Sequence, residues 1–217
     1  DTLSLHDALP ISADLLEALG VRIDLTGAEV EKCVTKIGIG FCFAPMFHSS
    51  MKHAAAARKD LGVPTVFNIL GPLSNPAKPV AAAIGVARSE LLPLISKVIA
   101  TQGKEGFVFR GDDGLDEVSL STTTTVLQVH GGEIVESKFD PLDIGVPRSE
   151  IHELLGGDAQ FNAKVTMDIF AGKAGAPRDA VALNAAFAIA AFKADFHLPL
   201  ETQIANAYVL ANQAIDS

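Results

Sequence analysis

The sequence is poor in cysteine and has no long apolar run, and each shortage excludes a class of protein. Its 217 residues include two cysteines, Cys33 and Cys42, which lie nine positions apart and form no Cys-x-x-Cys pattern. A chain of this size has no need of disulfide staples, so we expect both to be reduced thiols in a core. The longest nearly apolar stretch, residues 181–192, contains Asn184. Because a membrane span needs roughly 18 to 20 apolar residues, we expect no membrane insertion.

Other absences narrow the possible functions. The net charge of -9 argues against a general affinity for nucleic acid. No Gly-x-Ser-x-Gly motif is present, which argues against a Ser-His-Asp hydrolase. The closest histidines, His48 and His53, are five residues apart rather than four, which does not fit a helical zinc site. Neither of the common glycine-rich nucleotide loops occurs, so these residues contain no phosphate cradle of known type.

The pattern of apolar and helix-breaking residues predicts an α/β fold. Strands at residues 80–86 and 106–110 flank a helix at residues 89–101, and this strand-helix-strand unit is typical of a parallel sheet with helices on both faces. The sequence His130-Gly131-Gly132, between strands at residues 122–129 and 133–139, predicts an antiparallel hairpin. We therefore predict a mostly parallel central sheet, flanked by helices, with a late hairpin.

Capping signals place further elements. Ser12 is expected to cap a helix over residues 13–20, and Thr26 with Glu29 forms the capping box of a second helix ending near residue 36. The other predicted elements are strands at 21–24, 39–44 and 64–69 and helices at 51–61, 160–171, 178–192 and 200–215. Residues 1–11 fit no neighbouring element, so we interpret them as a non-native or junction segment and residues 12–217 as the α/β domain.

Four carboxylates occur within seven residues, in the run Gly111-Asp112-Asp113-Gly114-Leu115-Asp116-Glu117. The run follows a predicted strand, and ligands of α/β sheets collect beyond the carboxyl ends of strands. Adjacent hard oxygen ligands suit Mg²⁺ carried on a phosphorylated substrate. The same run also fits a solvated acidic turn, in which Asp and Gly serve the backbone.

A second candidate site lies on the predicted helix at residues 51–61. Met51 and Arg58 are seven residues apart, or two helical turns, so they lie on one face. There they could offer an apolar wall and a two-pronged clamp for the carboxylate of a small aromatic acid. The alternative is that Arg58 and Lys59 form a solvated face and that His48 is a satisfied polar residue near the helix start.

Several motifs together resemble the anthranilate phosphoribosyltransferase family, and they follow one another in the family's order from residue 12 onward. The matching segments are 12–21, 38–48, 51–58, 67–76, 111–117, 157–163 and 178–186. The resemblance implies a phosphoribosyltransferase-like catalytic domain. It also implies transfer of phosphoribosyl from phosphoribosyl pyrophosphate to the amine of anthranilate in tryptophan synthesis, with Mg²⁺ neutralising the pyrophosphate and little covalent chemistry left to the protein.

The same resemblance implies roles for particular residues. Arg58 matches the arginine that holds the anthranilate carboxylate, and Met51 and His48 fall at nearby anthranilate-binding positions. Asp116 and Glu117 match the family's metal-binding acidic pair. Ser12 matches a serine that contacts phosphoribosyl pyrophosphate.

The family also has parts that these 217 residues do not contain. They are an N-terminal helical region, which supplies much of a homodimer interface, a Gly-Thr-Gly-Gly-Asp loop and a Lys-His-Gly-Asn stretch. We therefore expect a cytoplasmic enzyme that is homodimeric when complete, and a chain that has little or no activity by itself. Two other functions remain open for the same fold: a non-enzymatic nucleic-acid-binding paralogue and a pyrimidine nucleoside phosphorylase.

Overall fold

The computed structural model describes residues 8–47, 70–71 and 73–217. The chain forms two compact units, one from residues 1–78 and 156–164, the other from residues 79–155 and 165–217. The predicted helix at 51–61 and the predicted strand at 64–69 lie outside the described residues.

Between residues 8 and 47, all of which are described, the first unit contains three helices: α1 (Ala8–Ala18), α2 (Gly27–Ile37) and α3 (Ala44–Phe47). The predicted capping box of α2 is confirmed, because the Thr26 backbone N–H donates to Glu29 Oε2 at 2.8 Å. Gly38 ends α2 with a φ of 82°, a left-handed conformation that glycine adopts without steric cost.

Three predictions for this unit are wrong. Ser12 is not an N-cap, because α1 already begins at Ala8; Pro10 is tolerated in that first turn, where its missing N–H would lack a helical partner anyway. The predicted strands at 21–24 and 39–44 are irregular apart from Ala44, the first residue of α3. Within the described part of the chain neither segment has a strand to pair with, and Val21 and Ile39 are 42% and 71% exposed.

The second unit is built on a four-stranded sheet. Its strands are β1 (Ala81–Gly85), β2 (Glu105–Gly111), β3 (Thr124–His130) and β4 (Glu133–Phe139). They pair in the order β1-β2-β3-β4, with β1 parallel to β2 and the other two pairings antiparallel. The predicted α/β class is confirmed. In the described residues the sheet is mixed, with one parallel pairing beside the two antiparallel ones.

The predicted hairpin is confirmed and joins β3 to β4 through Gly131 and Gly132. Their φ angles are 57° and 84°, and a two-residue turn with both central residues at positive φ matches the right-handed twist of the strands. A side chain at either position would strain the backbone, which explains the glycine pair.

Helices follow the strands at nearly the predicted positions. A 3-10 turn, Ser89–Leu91, leads into α4 (Leu92–Thr101), and two more 3-10 turns are Pro141–Ile144 and Ile151–Leu154. The last three helices are α5 (Ala159–Phe170), α6 (Ala176–Lys193) and α7 (Leu200–Ile215). No helix among the described residues is both long enough and apolar enough to cross a membrane.

Phe187 lies at the centre of the core of the second unit. Its ring, on α6, is 5.4 Å from Phe107, 5.2 Å from Phe109 and 5.3 Å from Phe139, measured between ring centroids. Phe107 and Phe109 share one face of β2 because strand side chains alternate, which leaves the fully buried Val108 for the other face. This core holds α6 against β1 and β2.

Candidate functional site

The predicted acidic run forms a loop that begins where β2 ends, and we call residues Gly111 to Glu117 the acidic loop. Its backbone closes on itself: the Gly111 N–H donates to the Leu115 carbonyl at 2.9 Å, and the Gly114 N–H donates to the Gly111 carbonyl at 2.9 Å. Gly114 has a φ of 105°, which only glycine adopts readily. The loop thus starts at the carboxyl end of a strand, where ligands of α/β proteins bind.

Asp112 fastens the loop to the hairpin. Its carboxylate accepts hydrogen bonds from Thr123 Oγ1, from Thr125 Oγ1 at 2.8 Å and from Lys138 Nζ at 2.6 Å. Partial burial raises the pKa of Asp112, but these hydrogen bonds and the lysine charge outweigh burial and lower it overall. This carboxylate is therefore occupied by protein donors.

Asp113 is occupied in the same way by the segment that leads into β3. Its Oδ2 accepts hydrogen bonds from Ser119 Oγ at 2.5 Å and Ser121 Oγ at 2.7 Å, and its Oδ1 accepts one from the Leu115 N–H at 3.2 Å. Burial raises the pKa of Asp113, and the hydrogen bonds together lower it below its ordinary value. Two of the four carboxylates are thus structural.

Asp116 and Glu117 differ from the first two. Within the described part of the chain, neither side chain forms a hydrogen bond or an ion pair. Partial burial of the Glu117 carboxyl raises its pKa, and the negative charge of Asp116 raises it further. The pair therefore places two acidic side chains next to each other, with no ion pair to either among the described residues.

The chemistry of this pair fits Mg²⁺. Mg²⁺ usually keeps several waters and binds through one or two carboxylates together with substrate phosphates, so it does not need an all-protein cage. Among the described residues no cluster of three or more Asp, Glu, His or Cys side chains could hold a metal ion. Two unpaired carboxylates at a strand end match the substrate-bridged arrangement, and a divalent cation would offset the repulsion between them.

The backbone on either side of Glu117 is held from two directions. Before Glu117, a Cβ placed on Gly85 would lie 1.7 Å from the Asp116 carbonyl oxygen, so only glycine permits this approach of the loop to β1. After it, Asn184 on α6 accepts a hydrogen bond from the Val118 N–H at 2.9 Å and donates one to the Val118 carbonyl at 3.3 Å.

Sequence reasoning missed the residues that hold the loop. The run Ser119-Leu120-Ser121-Thr122-Thr123-Thr124-Thr125 is an available signal, since hydroxyl groups are the donors that fix nearby carboxylates. Asn184 is a second signal, because it is the one polar side chain in the stretch of residues 181–192. Lys138 offers none, since it lies 26 residues from Asp112 and meets it only through the fold.

The predicted anthranilate-binding residues, His48, Met51 and Arg58, lie outside the described residues. Ser12 is within α1, but its side chain is outside the described part. Their predicted roles therefore stay predictions, as do the metal-binding roles of Asp116 and Glu117.

Comparison with known proteins gives a consistent result. The model of the glycosyl transferase family, a/b domain, matches residues 11–215. An anthranilate phosphoribosyltransferase from Rhodococcus jostii (strain RHA1) is 51% identical over 205 residues, which are 94% of this chain and 57% of that protein. One from Arthrobacter sp. (strain FB24) is 47% identical over 206 residues, 95% of this chain and 58% of that protein. The chain therefore spans less than three fifths of the length of these two relatives.

Solved structures of proteins with the same name are also similar to this chain. The crystal structure of anthranilate phosphoribosyltransferase from Thermus thermophilus matches with a TM-score of 0.80 and 33% identity, covering 94% of this chain and 63% of that one. The Saccharomyces cerevisiae enzyme in complex with phosphoribosyl pyrophosphate and Mg matches with a TM-score of 0.84 and 28% identity, covering 94% of this chain and 58% of that one.

Proposed function

The chain belongs to the glycosyl transferase family, a/b domain, and from this premise we propose that the protein is an anthranilate phosphoribosyltransferase. It transfers phosphoribosyl from phosphoribosyl pyrophosphate to anthranilate, giving N-(5-phosphoribosyl)anthranilate and pyrophosphate, a step of tryptophan biosynthesis. The observation that carries the proposal is the likeness to enzymes of that name along nearly the whole chain. We extend it to a cytoplasmic homodimer that uses Mg²⁺.

The reaction is a displacement at C1 of the ribose. The anthranilate nitrogen forms the new bond to C1, the bond from C1 to the pyrophosphate oxygen breaks, and pyrophosphate leaves with the electron pair. The amine then loses one proton to solvent. Mg²⁺, held by Asp116 and Glu117, would supply positive charge that stabilises the leaving pyrophosphate. The protein's own task is to bind, orient and stabilise charge rather than to form a covalent bond.

Asp116 and Glu117 would hold the metal in this scheme. Support comes from the acidic loop, in which Asp112 and Asp113 are occupied by protein donors and the second pair has no partner among the described residues. The negative charge of Asp116 directly beside Glu117 favours binding of a cation at this position.

Anthranilate would be held through Arg58, because a planar guanidinium can donate two parallel hydrogen bonds to one carboxylate. Met51, seven residues earlier, would supply an apolar wall on the same helix face, with His48 close by along the chain. Ser12 would contact phosphoribosyl pyrophosphate. These four assignments rest on the sequence.

A hybrid enzyme tests the proposal without depending on which parts of the family this chain contains. The matched region of the Rhodococcus jostii relative is replaced by residues 11–215, and the loss of anthranilate fluorescence is followed with phosphoribosyl pyrophosphate and Mg²⁺. Phosphoribosyl transfer within about tenfold of the parent supports the proposal. A folded hybrid that does not transfer phosphoribosyl, or that instead cleaves pyrimidine nucleosides with phosphate, contradicts it.

Replacing Arg58 with alanine in the hybrid enzyme should weaken anthranilate binding selectively. We expect the KM for anthranilate to rise by about 10-fold to 100-fold, since charged hydrogen bonds contribute roughly 1.5 to 3 kcal/mol, while the KM for phosphoribosyl pyrophosphate changes little. Steady-state kinetics with each substrate varied in turn provide the measurement. Lys59→Ala, the neighbouring cation, is the matched control. Equal effects on both KM values would show that Arg58 does not recognise anthranilate.

A further inference from the structure

Asn184 occupies a helical position at which an asparagine lowers the stability of the helix. It lies within α6, between the fully buried Leu183 and the fully buried Ala186, and asparagine is a poor helix former compared with alanine or leucine. Its amide compensates by three hydrogen bonds: with the Val118 N–H, with the Val118 carbonyl and with the Ala180 carbonyl at 3.0 Å. The first two join residues that are 66 positions apart in the sequence, Asn184 and Val118. They therefore stabilise the segment that follows the acidic loop.

These bonds act on the peptide group next to the acidic pair. The Val118 N–H belongs to the peptide unit that joins Glu117 to Val118, so Asn184 fixes the orientation of that unit. The Val118 side chain is itself 3% exposed and belongs to the same core as Phe187, which prevents it from moving independently of α6. The packing of α6 therefore fixes the orientation of the backbone at Glu117.

A second contact holds the peptide group that joins Asp116 to Glu117. The Asp116 carbonyl packs against Gly85 so closely that no side chain would fit there. Glu117 thus lies between two backbone anchors, one on β1 and one on α6, and Asp116 directly precedes the first of them. Neither carboxylate is itself engaged by these anchors, which leaves both free to bind a ligand.

We propose that Asn184 is a positioning residue for the Asp116 and Glu117 carboxylates, and that it sets their affinity for a divalent cation. The inference rests on the proposed function, which assigns the pair to the metal. Side chains that orient metal ligands typically change metal affinity or activity by about 10-fold to 100-fold when they are removed. A comparable loss of affinity is expected here, although Asn184 does not touch the metal.

The test measures Mn²⁺ binding to the hybrid enzyme in the presence of phosphoribosyl pyrophosphate, by the faster relaxation of water protons around protein-bound Mn²⁺, with thermal unfolding followed by circular dichroism. Asn184→Leu keeps the branching and the number of side-chain heavy atoms and improves helix propensity, and Asn184→Ala provides a smaller second variant that also lacks the hydrogen bonds. Asp116→Asn with Glu117→Gln reports whether the pair binds the ion at all. Ile204→Val, a buried change in the same core but on α7, controls for a general loss of stability.

The expected result is Mn²⁺ affinity about tenfold or more weaker in both Asn184 variants, with wild-type affinity in Ile204→Val. Wild-type affinity in the Asn184 variants, beside a loss in the double variant, would overturn the positioning role and leave the metal role of the pair intact. Weakened binding in Ile204→Val to the same extent would also overturn it, because binding would then follow stability. Two outcomes would contradict the proposed metal role itself: Mn²⁺ affinity in the double variant equal to that of the wild type, or no Mn²⁺ binding by the wild type. Either outcome would also overturn the present inference, which depends on that role.

Discussion

Replacing Asp116 with asparagine and Glu117 with glutamine in the hybrid enzyme should reduce phosphoribosyl transfer by about 100-fold or more. The substitutions keep the size of both side chains and remove both charges. A metal that stabilises a leaving group contributes several kcal/mol, and about 1.4 kcal/mol corresponds to a factor of ten in rate. The rate should recover partly at high Mg²⁺ concentration, because weaker binding can be offset by mass action. A Mg²⁺ titration of the initial rate provides the measurement.

The control for this experiment is a pair of equivalent changes elsewhere. Glu31→Gln combined with Asp195→Asn also neutralises one glutamate and one aspartate, and both side chains are exposed. Only the acidic-loop variant should shift the Mg²⁺ dependence. An unchanged titration would mean that Asp116 and Glu117 are surface residues of an acidic turn. If the control variant lost activity equally, the effect would belong to net charge rather than to this site.

Phe187→Ala should lower the free energy of unfolding by about 3 to 5 kcal/mol, a large part of the roughly 5 to 15 kcal/mol typical of a protein. Phe187 is fully buried and its ring packs against three other phenylalanine rings, so truncation leaves a cavity that the surrounding sheet and helices cannot fill. Urea denaturation of the 217-residue chain, followed by circular dichroism, measures the change.

Phe192→Ala is the matched control on the same helix. Its side chain is 77% exposed, so the same substitution should change the free energy of unfolding by no more than about 0.5 kcal/mol. Similar values for the two variants would contradict the assignment of Phe187 as the centre of the core.

Prediction from the sequence worked best where local chemistry alone decides the structure. The bounds of α7 and β4 match the predicted ones at both ends, and the capping box and the glycine turn are where the sequence placed them. It failed for the strands at 21–24 and 39–44, because apolar residues in a short run indicate a strand only when a partner strand is available. The cap at Ser12 failed because Ala8 to Ile11 continue the helix toward the N-terminus.

The candidate site was predictable in part. The sequence identified the four carboxylates but could not separate those that hold the loop from those that are free, because the partners of Asp112 lie on two later strands. Asn184 stands out as the polar residue in the apolar stretch 181–192, but its hydrogen bond to Val118 spans 66 residues and depends on how α6 packs. Such long-range pairs are set by the tertiary fold, which local patterns do not encode.

The outer strand of the hairpin has a consequence for solubility. In the described part of the chain β4 pairs only with β3, so its other edge has unpaired backbone groups, which can recruit a strand from a second molecule. Ile134 and Val135, 39% and 59% exposed, would favour such an association. Three charged side chains, Glu133, Glu136 and Lys138, are exposed on the same strand. Pairing with a second copy would bring like charges together or remove water from these side chains, and both effects oppose association. The strand thus limits its own tendency to aggregate by the charges it carries.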